Sequence, residues 1–80
     1  DWSDRAKKER DRLDVDTRKR IIEEMEKLAR GEICDVRAVA SGITDYAVRV
    51  GKWRVFFNYV DAGETIYAVR VRPRGDAYKK

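Results

Sequence analysis

The sequence predicts an α+β domain spanning residues 1–80, in which two N-terminal helices pack on a small antiparallel β-sheet. Three observations lead there: apolar residues at three- and four-residue spacing in the first thirty positions, strict alternation from Tyr46 onward, and glycine-bearing turns that break the alternating segments into a meander. Ser3 is placed to cap a first helix running to about Leu13, with Trp2, Ala6 and Leu13 as a thin apolar stripe. Leu13-Asp14-Val15-Asp16 breaks that pattern, and Asp16 is expected to cap a second helix whose Ile21, Ile22, Met25, Leu28 and Ala29 form one face. Gly31 is its natural stop. This Met and Ile stripe reads as core, and the surrounding Arg18 to Arg20 and Glu23 to Glu26 charges read as a solvated face.

From Tyr46 the period becomes two. Tyr46, Val48 and Val50 alternate with Ala47 and Arg49, and after Gly51-Lys52 the residues Trp53, Val55, Phe57 and Tyr59 alternate with Arg54, Phe56 and Asn58, which predicts a hairpin. Asp61 to Glu64 supply a second turn, and Thr65 to Val71 a third strand with Tyr67, Val69 and Val71 expected on one face. The helices should cover one face of the meander and leave the other open. Tyr-Ala-Val-Arg-Val occurs at both 46–50 and 67–71, but five residues of ordinary strand chemistry do not argue duplication.

A chain of 80 residues buries only about 60% of its unfolded surface, so its core must be compact. Hydrophobic and charged residues each make up 42%, which suits a thin folded domain with a charged exterior. No stretch approaches the ~20 apolar residues that span a bilayer, and no leader-like segment opens the chain, so a cytoplasmic protein with no membrane partner is expected. With a single cysteine, Cys34, and no histidine, an internal disulfide, the usual Cys/His zinc sites and a Cys/His dyad are all excluded. Cys34 reads as a small, partly buried residue, and no metal or cofactor is expected.

Charge is unevenly placed. Residues 1–40 carry eleven basic and eleven acidic side chains, residues 41–80 eight basic and four acidic, so the formal charge of +4 belongs to the second half. A concentrated positive field attracts polyanions, nucleic acid first among them, although it can equally dock an acidic protein segment.

Two motifs in that half carry a resemblance. Tyr46-Ala47-Val48-Arg49-Val50-Gly51-Lys52-Trp53-Arg54-Val55-Phe56-Phe57 resembles the central hairpin of the RelE/ParE toxin superfamily, where a strand of Tyr, basic and apolar residues leads through a Gly turn to an aromatic-Arg pair. Val71-Arg72-Pro73-Arg74-Gly75-Asp76-Ala77-Tyr78 is similar to that family's C-terminal Arg followed by a nearly terminal Tyr. Leu28-Ala29-Arg30-Gly31 also fits the helix end that precedes the hairpin. The resemblance covers the chain except the family's first strand, which would precede or include Trp2, so Asp1-Trp2 reads as the stub of a longer element.

The RelE-type branch implies a toxin that cuts messenger RNA on the ribosome by attack of a ribose 2′-hydroxyl on its own phosphate. That reaction needs no metal; it needs a base, cations around the phosphorane and help for the departing oxygen. Arg54 is expected to grip two phosphate oxygens with its forked guanidinium. Arg74 shares that role or assists the leaving oxygen, with Arg72 as its competitor, and Tyr78 orients the substrate, stacks on a base or donates a proton. The resemblance places Arg49 near the 2′-hydroxyl, where well-known members often carry Lys; a guanidinium is a poor proton acceptor, so Arg49 is expected to clamp phosphate. Ala47 stands where many relatives have a second basic residue, which points to attenuated activity, and Lys52 at the hairpin tip is a substitute base if neighbouring cations depress its pKa. Lys52, Arg72, Lys79 and Lys80 are the expected RNA contacts. The plain alternatives are surface arginines, a solvated hairpin lysine and an amphipathic terminal tyrosine.

The resemblance also implies a cognate antitoxin protein as partner, beside the ribosome and its mRNA. Two other functions remain open at this point: a ParE-type toxin acting on DNA gyrase, and a catalytically weak module that binds RNA or the ribosome through its basic face.

Overall fold

In a computed structural model, which describes residues 1–40 and 42–73, Ser3 opens the first helix as expected. Its hydroxyl accepts the Ala6 amide at 3.0 Å, and helix α1 runs Asp4–Asp11 with Asp4 at the positive end of the helix dipole. Ala6 is its one fully buried side chain, and Trp2 packs beside it under the Arg10 guanidinium, 4.8 Å from the ring centroid.

Helix α2, Val15–Ala29, is capped by Asp14 rather than by Asp16. The Asp14 carboxylate accepts both the Thr17 amide, at 3.0 Å, and the Thr17 hydroxyl, at 2.6 Å, so the cap lies two residues before the expected one. Those bonds hold the Asp14 carboxyl below its ordinary pKa. Asp16 instead sits in the first turn, where its charge also suits the dipole. At the other end Gly31 takes φ +79°, its amide bonds to the Leu28 carbonyl, and the Glu32 amide bonds to Lys27, which is the geometry of a Schellman stop. Ile21, Met25 and Leu28 are buried as their spacing requires.

Four antiparallel strands follow in the order β1 (Val36–Ala38), β2 (Tyr46–Val50), β3 (Trp53–Val60) and β4 (Thr65–Pro73). The last three are the expected meander. Gly51, with φ +60°, holds the first central position of the two-residue turn between β2 and β3, where any side chain would be strained. The second turn, Asp61–Gly63, places Asp61 and Ala62 at φ +53° and +58°, left-handed values that L-residues adopt only at a cost. The first strand, β1, was not foreseen. It pairs Val36 with Val48 and Ala38 with Tyr46, extending the sheet by one short edge.

The face expected for the last strand needs correcting. Phe57 pairs with Ala68 but Phe56 pairs with Arg70, so Val69 is an extra residue in β4. Such a bulge reverses which face each later side chain takes. Ile66, Ala68 and Val71 therefore join the core with Val48, Val50, Val55 and Phe57, while Tyr67 points to the other face and is exposed.

Asp1 to Ser3 run beside the outer edge of β4. Trp2 forms a parallel bridge to Ala68, whose amide donates to the Asp1 carbonyl and whose carbonyl accepts the Ser3 amide, both at 2.8 Å. Strand pairing at Trp2 is thus present. Among the described residues no helix is long and apolar enough to cross a membrane.

Candidate functional site

Register brings three arginines into one line. On the sheet face away from the helices, Arg49 of β2 stands directly opposite Arg54 of β3, and Arg54 directly opposite Arg72 of β4. Side chains paired in this way lie about 5 Å apart at Cβ, so the three arginines leave the sheet in a row about 10 Å long at its base. Without the extra residue at Val69, position 72 would share the core face with Ala68. The bulge is what completes the row.

Arg54, at its centre, is only 5% exposed. Arg49 and Arg72 are half-buried, so the row has a deeply set middle and more accessible ends. This face is also less open than expected: Ala47 and Phe56 are buried there, in a register line between Arg37 and Arg70.

The bulge is stapled by α1 and its cap. Ser3 Oγ, besides accepting from Ala6, donates to the Val69 carbonyl at 2.9 Å. Glu9 Oε2 accepts from Arg70 Nη2 at 2.9 Å and from Arg70 Nε at 3.0 Å, and Glu9 Oε1 accepts the Val71 amide at 2.8 Å. Burial alone would raise the Glu9 pKa, but the Arg70 and Val71 hydrogen bonds and the charges of Arg70 and Arg72 outweigh it and leave the carboxyl below its ordinary value. Arg70 is thereby engaged in holding the strand, on the same face as the row.

At the opposite end the line continues into an acidic residue. The Arg49 amide donates to the Asp35 carbonyl at 3.0 Å, which sets residue 35 beside residue 49. Asp35 Oδ2 lies 4.0 Å from Arg49 Nε, and Asp35 Oδ1 lies 3.4 Å from Arg37 Nε. Asp35 was not among the sequence-derived candidates, nor was β1. The usable signal was the alternation of Cys34, Val36 and Ala38 with Asp35 and Arg37. Cys34 is half-buried, and burial pushes its thiol pKa up, as suits a packing residue.

Of the sequence-derived residues, the fold brings together Arg49, Arg54 and Arg72. Lys52 is exposed at the hairpin tip, where the Arg20 guanidinium approaches within 3.8 Å of the point a Gly51 Cβ would occupy. Arg74, Tyr78, Lys79 and Lys80 lie outside the described residues. Among the described residues no cluster of His, Cys, Asp and Glu is placed to hold a metal ion. Forked guanidiniums suit phosphate oxygens in particular. The arrangement can hold a phosphodiester and stabilise added negative charge on it.

Comparison with known proteins gives two matches. The family model for the ParE toxin of type II toxin-antitoxin systems, parDE, matches residues 1–78. A chain in the solved RelB-RelE antitoxin-toxin complex from Methanococcus jannaschii has a similar fold, with a TM-score of 0.73 and 23% identity over 96% of this chain and 93% of that one. No curated protein sequence matches significantly.

Proposed function

The chain belongs to the ParE toxin family of type II toxin-antitoxin systems, within the RelE/ParE superfamily, and from that premise we propose that it stops translation by cutting messenger RNA on the ribosome. The observation that carries this reading is the line Arg49, Arg54, Arg72. In the proposed complex the scissile phosphate rests over Arg54, the most deeply set residue of the line. Arg49 and Arg72 approach from either side. As the ribose 2′-oxygen bonds to phosphorus, the extra charge falls on oxygens already within reach of fixed N–H donors, which lowers the barrier rather than merely tightening binding. Arg74 and Tyr78 are assigned to the leaving oxygen and to the flanking base by the family resemblance alone.

The proposed partners are the ribosome with its messenger and an antitoxin made to cover this face. The similar Methanococcus jannaschii chain was solved in complex with its antitoxin. An acidic segment with an apolar stripe is the complementary chemistry for a basic sheet face that also carries the exposed Tyr67.

One observation favours a second reading. The matched family is described by its ParE toxin, and a guanidinium row is a poor source of a base, so a gyrase-directed toxin using the row only as an anion contact is the competing function. Cell-free translation with toeprinting separates them. The nuclease reading expects new 5′ ends in the ribosomal A site that vanish in Arg54→Ala; intact messenger together with inhibited supercoiling would support the gyrase reading instead.

A further inference from the structure

We propose that Asp35 is the general base of the cleavage reaction, an assignment that rests on the nuclease reading above. A 2′-hydroxyl must lose its proton as it attacks, and a guanidinium, protonated throughout the working pH range, cannot accept it. A carboxylate can. Asp35 stands at the β1 end of the arginine line, fixed by the Arg49 amide bond to its carbonyl, and its side chain is 46% exposed and so open to substrate.

Its two oxygens are not equivalent. Oδ1 faces Arg37 Nε at 3.4 Å, whereas Oδ2 faces Arg49 Nε at 4.0 Å, beyond hydrogen-bond length, and keeps a lone pair for an incoming hydroxyl. Arg37 from β1 and Arg49 from β2 are the charged groups that face it. The line also has the polarity that in-line displacement demands. With phosphorus over Arg54, the nucleophile enters from the Asp35 side and the leaving oxygen departs toward Arg72, on opposite sides of the phosphate.

The step balances as follows. The 2′-hydroxyl proton passes to Asp35 Oδ2, the 2′-oxygen forms a bond to phosphorus, and the bond from phosphorus to the 5′-oxygen breaks. That oxygen takes a proton from water, leaving a 2′,3′-cyclic phosphate and a 5′-hydroxyl, and Asp35 returns its proton to solvent. Asp35 thus supplies what Arg49 lacks at the position where the family resemblance sets a basic residue.

The bland alternative is that Asp35 only separates Arg37 from Arg49. The two roles move binding and cleavage differently. Single-turnover cleavage on programmed ribosomes, for the wild type, Asp35→Asn, Asp35→Glu and Arg54→Ala, is set beside binding of a messenger carrying one 2′-deoxy residue at the cleavage site. We expect Asp35→Asn to slow cleavage about 10²–10⁴-fold and to bind the 2′-deoxy messenger as tightly as the wild type or more tightly. Asp35→Glu should restore part of the rate. Cleavage by Asp35→Asn within about threefold of the wild type, or a parallel loss of binding, would overturn the assignment while the Arg54→Ala control still upholds the nuclease. A wild type that leaves the messenger intact overturns both.

Discussion

Arg72 of β4 faces Arg54 of β3 because Val69 has no partner in the ladder between them and Ala68. A strand that ran in regular register would turn Arg70 and Arg72 into the core, and the basic face would lose a third of its line. The site is therefore a product of backbone irregularity as much as of side-chain choice, and its supports lie in the first helix.

The proposed phosphate contact by the line is measurable through salt. Each phosphate neutralised on a single strand contributes about 0.7 to the slope of log K against log salt. Arg49→Ala, Arg54→Ala and Arg72→Ala should each lower the slope for a single-stranded RNA by about that amount, whereas Lys8→Ala, on α1, should leave it unchanged. Equal slopes for all four variants would remove the line from the binding surface.

Glu9 is the strongest point of the staple, since one carboxylate holds both the Arg70 guanidinium and the Val71 amide in a partly buried setting. Glu9→Ala should destabilise the fold by about 2 kcal/mol, read as the shift of the urea midpoint at constant m. Glu9→Gln should lose less, because its amide oxygen can still accept from Val71. The same variants should weaken cleavage more than Ala substitutions elsewhere on α1, since they loosen the strand that carries Arg72.

The sign of the pH effect follows from the lowered Glu9 pKa. A carboxyl whose folded pKa lies below its unfolded value of 4.5 gives stability that is complete above that value and is lost as pH falls through the folded one. Wild-type stability should thus drop on acidification below about pH 4.5 more steeply than that of Glu9→Gln, which carries no such proton. Parallel curves would show that Glu9 gains nothing from its partners.

Ala62 tests the second turn. Held at φ +58° and exposed, it carries a cost that glycine lacks, partly offset by the greater freedom glycine has when unfolded. Ala62→Gly should stabilise by about 0.5–1 kcal/mol without altering RNA binding. A lower melting temperature would contradict the strain.

Much of the frame was legible because period and caps are local. The change from helical spacing to alternation at Tyr46, the Ser3 cap, the Gly31 stop and the Gly51 turn all follow from neighbours within four residues. The face of β4 was not. Tyr-Ala-Val-Arg-Val at 46–50 and at 67–71 presents its first tyrosine to opposite sides, because the second copy contains the bulge and the first does not. That difference is set by Ser3 and Glu9, more than sixty residues away in sequence. Asp35 escaped notice for a related reason: a three-residue edge strand has too short a period to stand out, and its meaning comes from Arg49 across the ladder. The pairing of Arg49 with Arg54 was legible from the hairpin motif, whereas Arg74, preferred to Arg72 in the sequence, lies outside the described residues.

The central claim, that the line centred on Arg54 cuts messenger within the ribosome, meets its most direct test in primer extension on a translating messenger. The wild-type protein should give new 5′ ends in the A site and Arg54→Ala none, at equal concentration and equal fold. Cleavage that survives in Arg54→Ala, or a messenger that stays whole while gyrase is inhibited, would contradict it.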